Sequence, residues 1–100
     1  MDERIKISSI AQKEFEESIA WYEERGTGLG DRFADVIYEA ADAILLNPEA
    51  CRKSRSPYRE FVVDEFPYII VYEILKKENV INVLHIFHTS RNPKFKFKKK

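Results

Sequence analysis

This sequence of 100 residues contains little cysteine or glycine and no long apolar segment. Its single cysteine, Cys51, excludes an internal disulfide bond and fits a reducing compartment. All three glycines fall within residues 26–30, so they serve one loop. No apolar run is long enough to span a bilayer, and the charged residues 1–15 do not form a signal peptide. We therefore expect a soluble cytoplasmic protein with no membrane partner.

Net charge is also absent, because 17 basic side chains balance 17 acidic ones. The two halves of the chain nevertheless differ strongly. Residues 1–50 carry 12 acidic and 5 basic side chains, a formal charge of −7, and residues 51–100 carry 5 acidic and 12 basic, a charge of +7. A basic half favours an anionic partner, and a solvated basic tail beside two acidic helices is the alternative interpretation.

The second half of the chain is predicted to be mostly β-structure. Two apolar runs, 68–75 and 80–87, are rich in β-branched and aromatic residues and are separated by four polar residues, which indicates a hairpin. Asn79 fits this turn because asparagine tolerates left-handed backbone. A third strand is predicted at 58–63, and Pro67 imposes a bend after it. These strands predict an antiparallel meander.

The first half is predicted to start with a strand from Arg4 to Ser8 and to continue with a helix. Ser9 is predicted to cap this helix, with Gln12 completing a capping box. Gly26 suits the left-handed position that follows a helix end. The helix runs to about Arg25, and its apolar stripe consists of Ala11, Phe15, Ile19 and Tyr22.

A second helix is predicted from about Gly30 to Leu46, where Pro48 disfavours helical backbone at the preceding residue. The glycine-rich segment before it lacks the Lys-Ser/Thr of a phosphate-binding loop and does not follow a strand, so we interpret it as a helix-hairpin turn. Such a hairpin can cover only one face of a sheet. The stripe of this helix is Phe33, Val36, Ile37, Ala40 and Ile44.

Basic residues are concentrated between the second helix and the meander. Pro57 fits an edge strand there better than a central one. The basic residues of this segment are Arg52, Lys53, Arg55 and Arg59. We expect them, together with Arg91, to bind a nucleic acid or a protein partner.

Both faces of the predicted hairpin are apolar. Strict alternation places Ile81, Val83, His85 and Phe87 on one face of the last strand, and Val80, Asn82, Leu84, Ile86 and His88 on the other. The helices cover one face only. The second face must be covered by another segment or remain open, as partner-binding patches do. The alternative to a partner is that the C-terminal tail, residues 94–100, folds back and covers this face.

Histidine chemistry is restricted to two residues near the end of the chain. His85 and His88 lie three positions apart on a strand and point to opposite faces, so we expect no metal site and no cofactor. His88 lies near Arg91, where it could be the acid or base of RNA cleavage while Arg91 and Arg59 stabilise phosphate charge. A basic rim that binds an acidic protein segment is the alternative.

Four motifs follow one another along the chain: W-Y-E-E at 21–24, G-x-G-L-G-D-R-F at 26–33, F-P-Y at 66–68 and H-x-S-R-N-P at 88–93. In this order they resemble the RelE/ParE superfamily of bacterial toxins. These are the toxin halves of type II toxin–antitoxin modules, also described as plasmid stabilisation proteins. The resemblance covers about residues 5–93 and is specific for the superfamily, not for one toxic activity.

The resemblance implies a fold, a biological role and a partner. The fold is a two-layer α+β domain of order β-α-α-β(3-4) at residues 1–93, with the helix hairpin on one face of an antiparallel sheet, followed by the basic tail 94–100. The role is that of a growth-inhibiting toxin. The partner is a cognate antitoxin that neutralises the toxin in a hetero-oligomer, and no cofactor is implied.

The resemblance leaves two toxic activities. RelE-like members cut mRNA on the ribosome with basic residues and often a C-terminal aromatic hydroxyl or histidine, whereas ParE-like members poison DNA gyrase. The RelE basic set is resembled here by Lys53, Arg55, Arg59 and Arg91, and His88 is similar to the histidine that some relatives use. Phe95 and Phe97, however, stand where a catalytic tyrosine is expected and carry no hydroxyl. Because W-Y-E-E and F-P-Y are closer to the ParE side, a gyrase toxin is favoured over a metal-independent endoribonuclease.

Overall fold

Two helices cover one face of a five-stranded sheet. The computed structural model describes residues 4–51 and 57–90 and, for the backbone alone, residues 53–55. The strands lie in the order β1-β5-β4-β3-β2, which confirms the predicted α+β fold with a helix hairpin and a meander. Neither described helix is long and apolar enough to cross a membrane. The elements are β1 (Ile5–Ile7), α1 (Ser9–Arg25), α2 (Leu29–Leu46), β2 (Lys53–Arg55), β3 (Tyr58–Val62), β4 (Tyr68–Leu75) and β5 (Val80–His88).

The sheet is mixed, whereas an antiparallel sheet was predicted. β1 runs parallel to β5, with Ile5 opposite Ile81 and Ile7 opposite Val83. The pairs β2–β3, β3–β4 and β4–β5 are antiparallel. The prediction was therefore right for the meander and wrong for β1, because the local pattern of a strand carries no information about the direction of a distant partner.

Ser8, not Ser9, caps α1. The Ser8 hydroxyl oxygen accepts the N–H of Ala11 at 3.0 Å, while its own N–H donates to Val83 at 2.9 Å. Ser8 is thus the last residue held by the sheet, and its extended backbone has the geometry of a cap. The predicted capping box is also wrong, because the Gln12 side chain donates to Glu16 instead, at 2.7 Å.

The helix hairpin turns on Gly28 rather than on Gly26. Gly26 has an extended φ of −174°, so the prediction of a left-handed residue there is wrong, and Gly28 has the left-handed φ of 86°. α2 begins at Leu29, one residue earlier than predicted. The Glu23 carboxylate of α1 accepts the N–H groups of Gly28 at 3.0 Å and Gly30 at 2.9 Å. A side chain of the first helix therefore caps the second.

The core lies between the helix hairpin and one sheet face. Phe33 of α2 lies at its centre, with ring centroids 5.2 Å from Tyr22 and 4.8 Å from Tyr68. The predicted stripes of both helices are buried, except that Ile19 is only partly buried. The hydroxyl of Tyr68 donates to the hydroxyl oxygen of buried Ser18 at 2.8 Å. This bond joins the sheet to α1 inside the core.

A bulge in β5 changes the predicted faces. Val83 lies opposite Tyr72 and His85 opposite Val71, which leaves Leu84 without a partner on β4. The predicted alternation is correct up to Val83. It is wrong after the bulge, because the extra residue Leu84 shifts all later side chains of β5 to the other face. The residues of the helix-covered face after the bulge are Ile86 and His88.

The sheet face away from the helices has a buried centre and a partly open rim. On this face Val71 is 1% exposed, Glu60 4% and Phe87 8%, whereas Val62 is 66% exposed. The expected apolar surface is therefore open at the rim and not across the whole face. The predicted tail, residues 94–100, lies outside the described residues. Further rim residues, all partly exposed, are Ile69, Leu75, Val80 and Leu84.

Candidate functional site

The predicted site residues fall at two separate places on the sheet. Arg59 lies on β3, and His88 lies at the end of β5. β2 brings the backbone of Lys53 opposite Arg59, so the predicted edge strand does place two basic residues in register. The backbone of Arg55 lies opposite Tyr58 on the same strand pair, and the other two predicted residues, Arg52 and Arg91, lie outside the described part of the chain.

Arg59 holds the segment that leads from α2 to β2. Its guanidinium Nη1 donates to the carbonyl oxygens of Cys51 at 2.8 Å and Glu49 at 3.3 Å. The side chain is half-buried on the helix-covered face, in register with Tyr72. At least part of its hydrogen-bonding capacity thus supports the fold.

Tyr72 holds the same segment from the sheet. Its buried hydroxyl donates to the carbonyl oxygen of Pro48 at 2.7 Å. Burial raises the pKa of Tyr72 well above its ordinary value, and a hydrogen bond with the Cys51 thiol adds to the effect. The hydroxyl therefore stays protonated at neutral pH. Sequence reasoning missed this contact, since nothing in the local pattern relates a strand tyrosine to a proline 24 positions earlier.

His88 is held from two sides at the end of β5. Its Nδ1 accepts the N–H of Ser90 at 3.0 Å. The ring contacts Tyr68 edge-on, with centroids 5.4 Å apart. This contact follows from the bulge, which turns His88 to the face that carries Tyr68.

His85 pairs with a carboxylate of α1. Its Nδ1 lies 3.3 Å from Oε2 of Glu14, and Oε1 of Glu14 accepts the N–H of Ile86 at 2.8 Å. His85 is a half-buried residue of the sheet, with 19% of its side chain exposed. The sequence did not predict the role of Glu14, because nothing in the local pattern distinguishes it from the other carboxylates of α1.

The structure does not bring Arg59 and His88 together. Arg59 lies opposite Tyr72 and His88 opposite Tyr68, so the two residues are four positions apart along β4 and two strands apart across it. Strand spacings of about 4.8 Å and a rise of about 3.4 Å per residue put their Cα atoms about 17 Å apart. At this separation the two side chains do not contact each other directly.

An open cleft lies beside His88, between α1 and the end of β5. Its volume is ≈ 260 Å³. One wall is a single side of α1, since its residues recur at helical spacing, and the other wall comes from β4 and β5. The lining residues are Glu14, Glu17, Ser18, Trp21, Tyr68, Ile86, Phe87 and His88.

Comparison with known protein families shows the family of this chain. The family profile described as "ParE toxin of type II toxin-antitoxin system, parDE" matches residues 5–93, which span every described helix and strand. The chain belongs to this ParE toxin family. The match confirms the resemblance to the RelE/ParE superfamily, on its ParE side.

A solved structure supports the same architecture for this ParE family member. The chain is similar to one from the chromosomal ParDE toxin–antitoxin system of P. aeruginosa, with 18% sequence identity and a TM-score of 0.72. The likeness covers 84% of this chain and 92% of that one. At this identity it shows a shared fold. None of the curated proteins compared with the chain matches it.

Proposed function

We propose that this ParE family toxin inhibits growth by acting on DNA gyrase and is neutralised by a cognate antitoxin. The observation that carries the proposal is the family match over residues 5–93. A gyrase toxin is an interaction protein, so surface shape and charge, rather than proton transfer, determine its effect.

The geometry of the predicted catalytic residues supports a binding toxin over a nuclease. RNA cleavage needs a proton carrier and cations around one phosphate. Here Arg59 donates to the backbone of residues 49 and 51, and His88 has one ring nitrogen engaged by Ser90. The Cα atoms of the two residues also lie about 17 Å apart by strand spacing, so their side chains do not contact each other directly. A protein that only binds its target needs no such constellation.

The antitoxin is proposed to bind through apolar and acidic residues. Val62 and the partly exposed rim of the helix-free face would contact its apolar side chains. Its acidic residues would meet the basic segment 52–59 and Arg91. Apolar burial should keep the complex together at high salt, while the basic rim mainly raises the association rate. A purified chain that binds no product of a neighbouring reading frame would contradict this part.

Parallel assays of both targets in one induction experiment test the toxic activity. The chain is expressed from a tight promoter in bacteria, and chromosome breaks, an SOS reporter and mRNA ends are followed over time. We expect DNA damage signals with intact mRNA, and purified gyrase should accumulate cleaved DNA with the toxin. Cleavage within translated codons without DNA breaks would support the nuclease instead.

A RelE-like nuclease is the second candidate because basic residues do come into register at the β2–β3 edge. Lys53 lies opposite Arg59, and Arg55 opposite Tyr58. Arg91 would act in either function, as phosphate ligand or partner contact. Arg91→Ala should therefore weaken toxicity in both cases and cannot separate them, which leaves the target assays to decide.

A further inference from the structure

The cleft between α1 and β5 exists because β1 is shorter than its partner strand. β1 ends at Ile7 and pairs only with residues 81–83 of β5, which continues to His88. Beyond that point side chains replace the missing strand. The Ser8 hydroxyl donates to the carbonyl of Leu84 at 3.0 Å, and Glu14 accepts the N–H of Ile86 at 2.8 Å. The cleft lies past these two bonds, where no strand lies beside β5 in the described part of the chain.

The lining of the cleft is both aromatic and negatively charged. None of the eight described residues that line it is lysine or arginine. Both oxygens of Glu14 are occupied, whereas the exposed Glu17 carboxylate has no hydrogen bond or ion pair within the described residues. The Nδ1 of His88 is occupied, because it accepts the Ser90 N–H. A cationic group entering the cleft would therefore find an uncompensated carboxylate.

Trp21 forms a wall at the mouth of the cleft. Its side chain is 38% exposed, which is high for tryptophan in a domain of this size. The guanidinium of Arg25 lies 3.6 Å from its ring centroid, and Arg25 also donates to the Trp21 carbonyl at 3.0 Å. These contacts hold the indole in place. An exposed aromatic ring beside a carboxylate is suited to the apolar stem of a long basic side chain, whose charge would meet Glu17.

We infer that this cleft receives a lysine or arginine of the antitoxin, with an apolar neighbour packed on Trp21. The inference rests on the proposed antitoxin partnership and adds to it a second contact of opposite charge. The cleft ends at His88, three residues before the basic Arg91. A single antitoxin segment could thus place acidic residues near Arg91 and a basic one at Glu17. We therefore expect its toxin-binding segment to carry both charges.

Charge reversal at Glu17 tests the inference on the full-length chain. The antitoxin encoded by the neighbouring reading frame is titrated onto wild type, Glu17→Lys and Glu16→Lys. Glu16 is the matched control, because it is an exposed carboxylate one residue away that bonds Gln12 and does not line the cleft. We expect Glu17→Lys to weaken binding about 10-fold, the scale of one partly buried charge pair, and Glu16→Lys to change it less than about 2-fold.

The emission of Trp21 gives an independent readout, because it is the only tryptophan in the chain. With an antitoxin that contains no tryptophan, we expect complex formation to shift the emission and to protect the ring from acrylamide. Unchanged emission, together with equal affinities of wild type and Glu17→Lys, would overturn the inference while antitoxin binding itself stood. A shift produced by gyrase and not by the antitoxin would also overturn it. If wild type bound no antitoxin, the proposed partnership would fail and this inference with it.

Discussion

The guanidinium Nη1 of Arg59 donates a hydrogen bond of 2.8 Å to the carbonyl oxygen of Cys51. This bond spans the β2–β3 turn and holds the start of the segment that carries Arg52, Lys53 and Arg55. A residue predicted from sequence to meet phosphate or a partner therefore also positions its basic neighbours. Loss of Arg59 would affect the basic surface in two ways, by removing a charge and by releasing the backbone.

The Arg59 bond predicts a stability effect that a purely functional cation would not have. Arg59→Ala should lower the free energy of unfolding by about 1–3 kcal/mol, because the Cys51 carbonyl loses its charged donor. Lys77→Ala, in the exposed hairpin turn, removes a positive charge without such a contact and should stay within about 0.5 kcal/mol of wild type. Urea unfolding of the three proteins measures both. Equal midpoints for Arg59→Ala and wild type would show that the bond contributes nothing.

Two glycines at the helix-hairpin turn, Gly26 before it and Gly30 in the first turn of α2, should respond in opposite ways to a methyl group. A Cβ on Gly30 would lie 2.7 Å from the Ile19 carbonyl oxygen, so the two helices would have to separate. Gly30→Ala should cost about 1–3 kcal/mol, as overpacking does. A Cβ on Gly26 would meet only the Leu29 side chain at 3.8 Å, and its extended backbone suits any residue. Thermal unfolding should show Gly26→Ala at least as stable as wild type, and equal losses in both variants would contradict the close helix contact.

The cap that Glu23 provides for α2 predicts a pH dependence. Hydrogen bonds from Gly28 first, and from Gly30, hold the pKa of Glu23 below its ordinary value. Since the folded pKa lies below the unfolded one, this stabilisation is present above the unfolded pKa of about 4.3 and is lost as pH falls through the folded pKa. The stability difference between wild type and Glu23→Gln should therefore shrink as pH falls from 6 to 3.

The control for this prediction is Glu24→Gln. The Glu24 carboxylate lies 3.7 Å from the exposed Arg25 guanidinium and faces solvent. The stability difference between wild type and Glu24→Gln should therefore change less with pH. Chemical unfolding at a series of pH values compares the two variants. A gap between wild type and Glu23→Gln that stays constant down to pH 3 would mean that the charged carboxylate has no special role as a cap.

His88 separates the gyrase toxin from the nuclease. Glutamine is similar in size to histidine and hydrogen-bonds, but it exchanges no proton near pH 7. Loss of a general acid or base slows a reaction by about 100- to 10,000-fold, whereas loss of a contact histidine costs on the order of 1 kcal/mol. We expect His88→Gln to remain toxic when induced, as should His85→Gln, its matched control. A folded, antitoxin-binding His88→Gln protein that had lost all toxicity while His85→Gln kept it would favour the nuclease.

The elements of this fold could be predicted from the sequence because their signals are local. Asn47-Pro48 ends α2, and Asn79, with a left-handed φ of 57°, forms the predicted hairpin turn. The order of the four motifs was enough to predict the toxin family. The first residue of α1 could not be read from the local pattern, because serine is a good helix cap at position 8 and at position 9. The hydrogen bond from the Ser8 N–H to β5 distinguishes the two.

The sequence by itself therefore determined which segments are helices and strands, the helix-covered core and the toxin family, because periodicity, turn residues and motifs each lie within short windows of the chain. Only the tertiary structure decided the parallel pairing of β1, the bulge that turns His88 towards Tyr68, the contacts of Arg59 and the cleft beside Trp21. Each of these depends on residues far apart in sequence whose hydrogen bonds and packing form only when the strands and helices meet, and no local window contains that geometry.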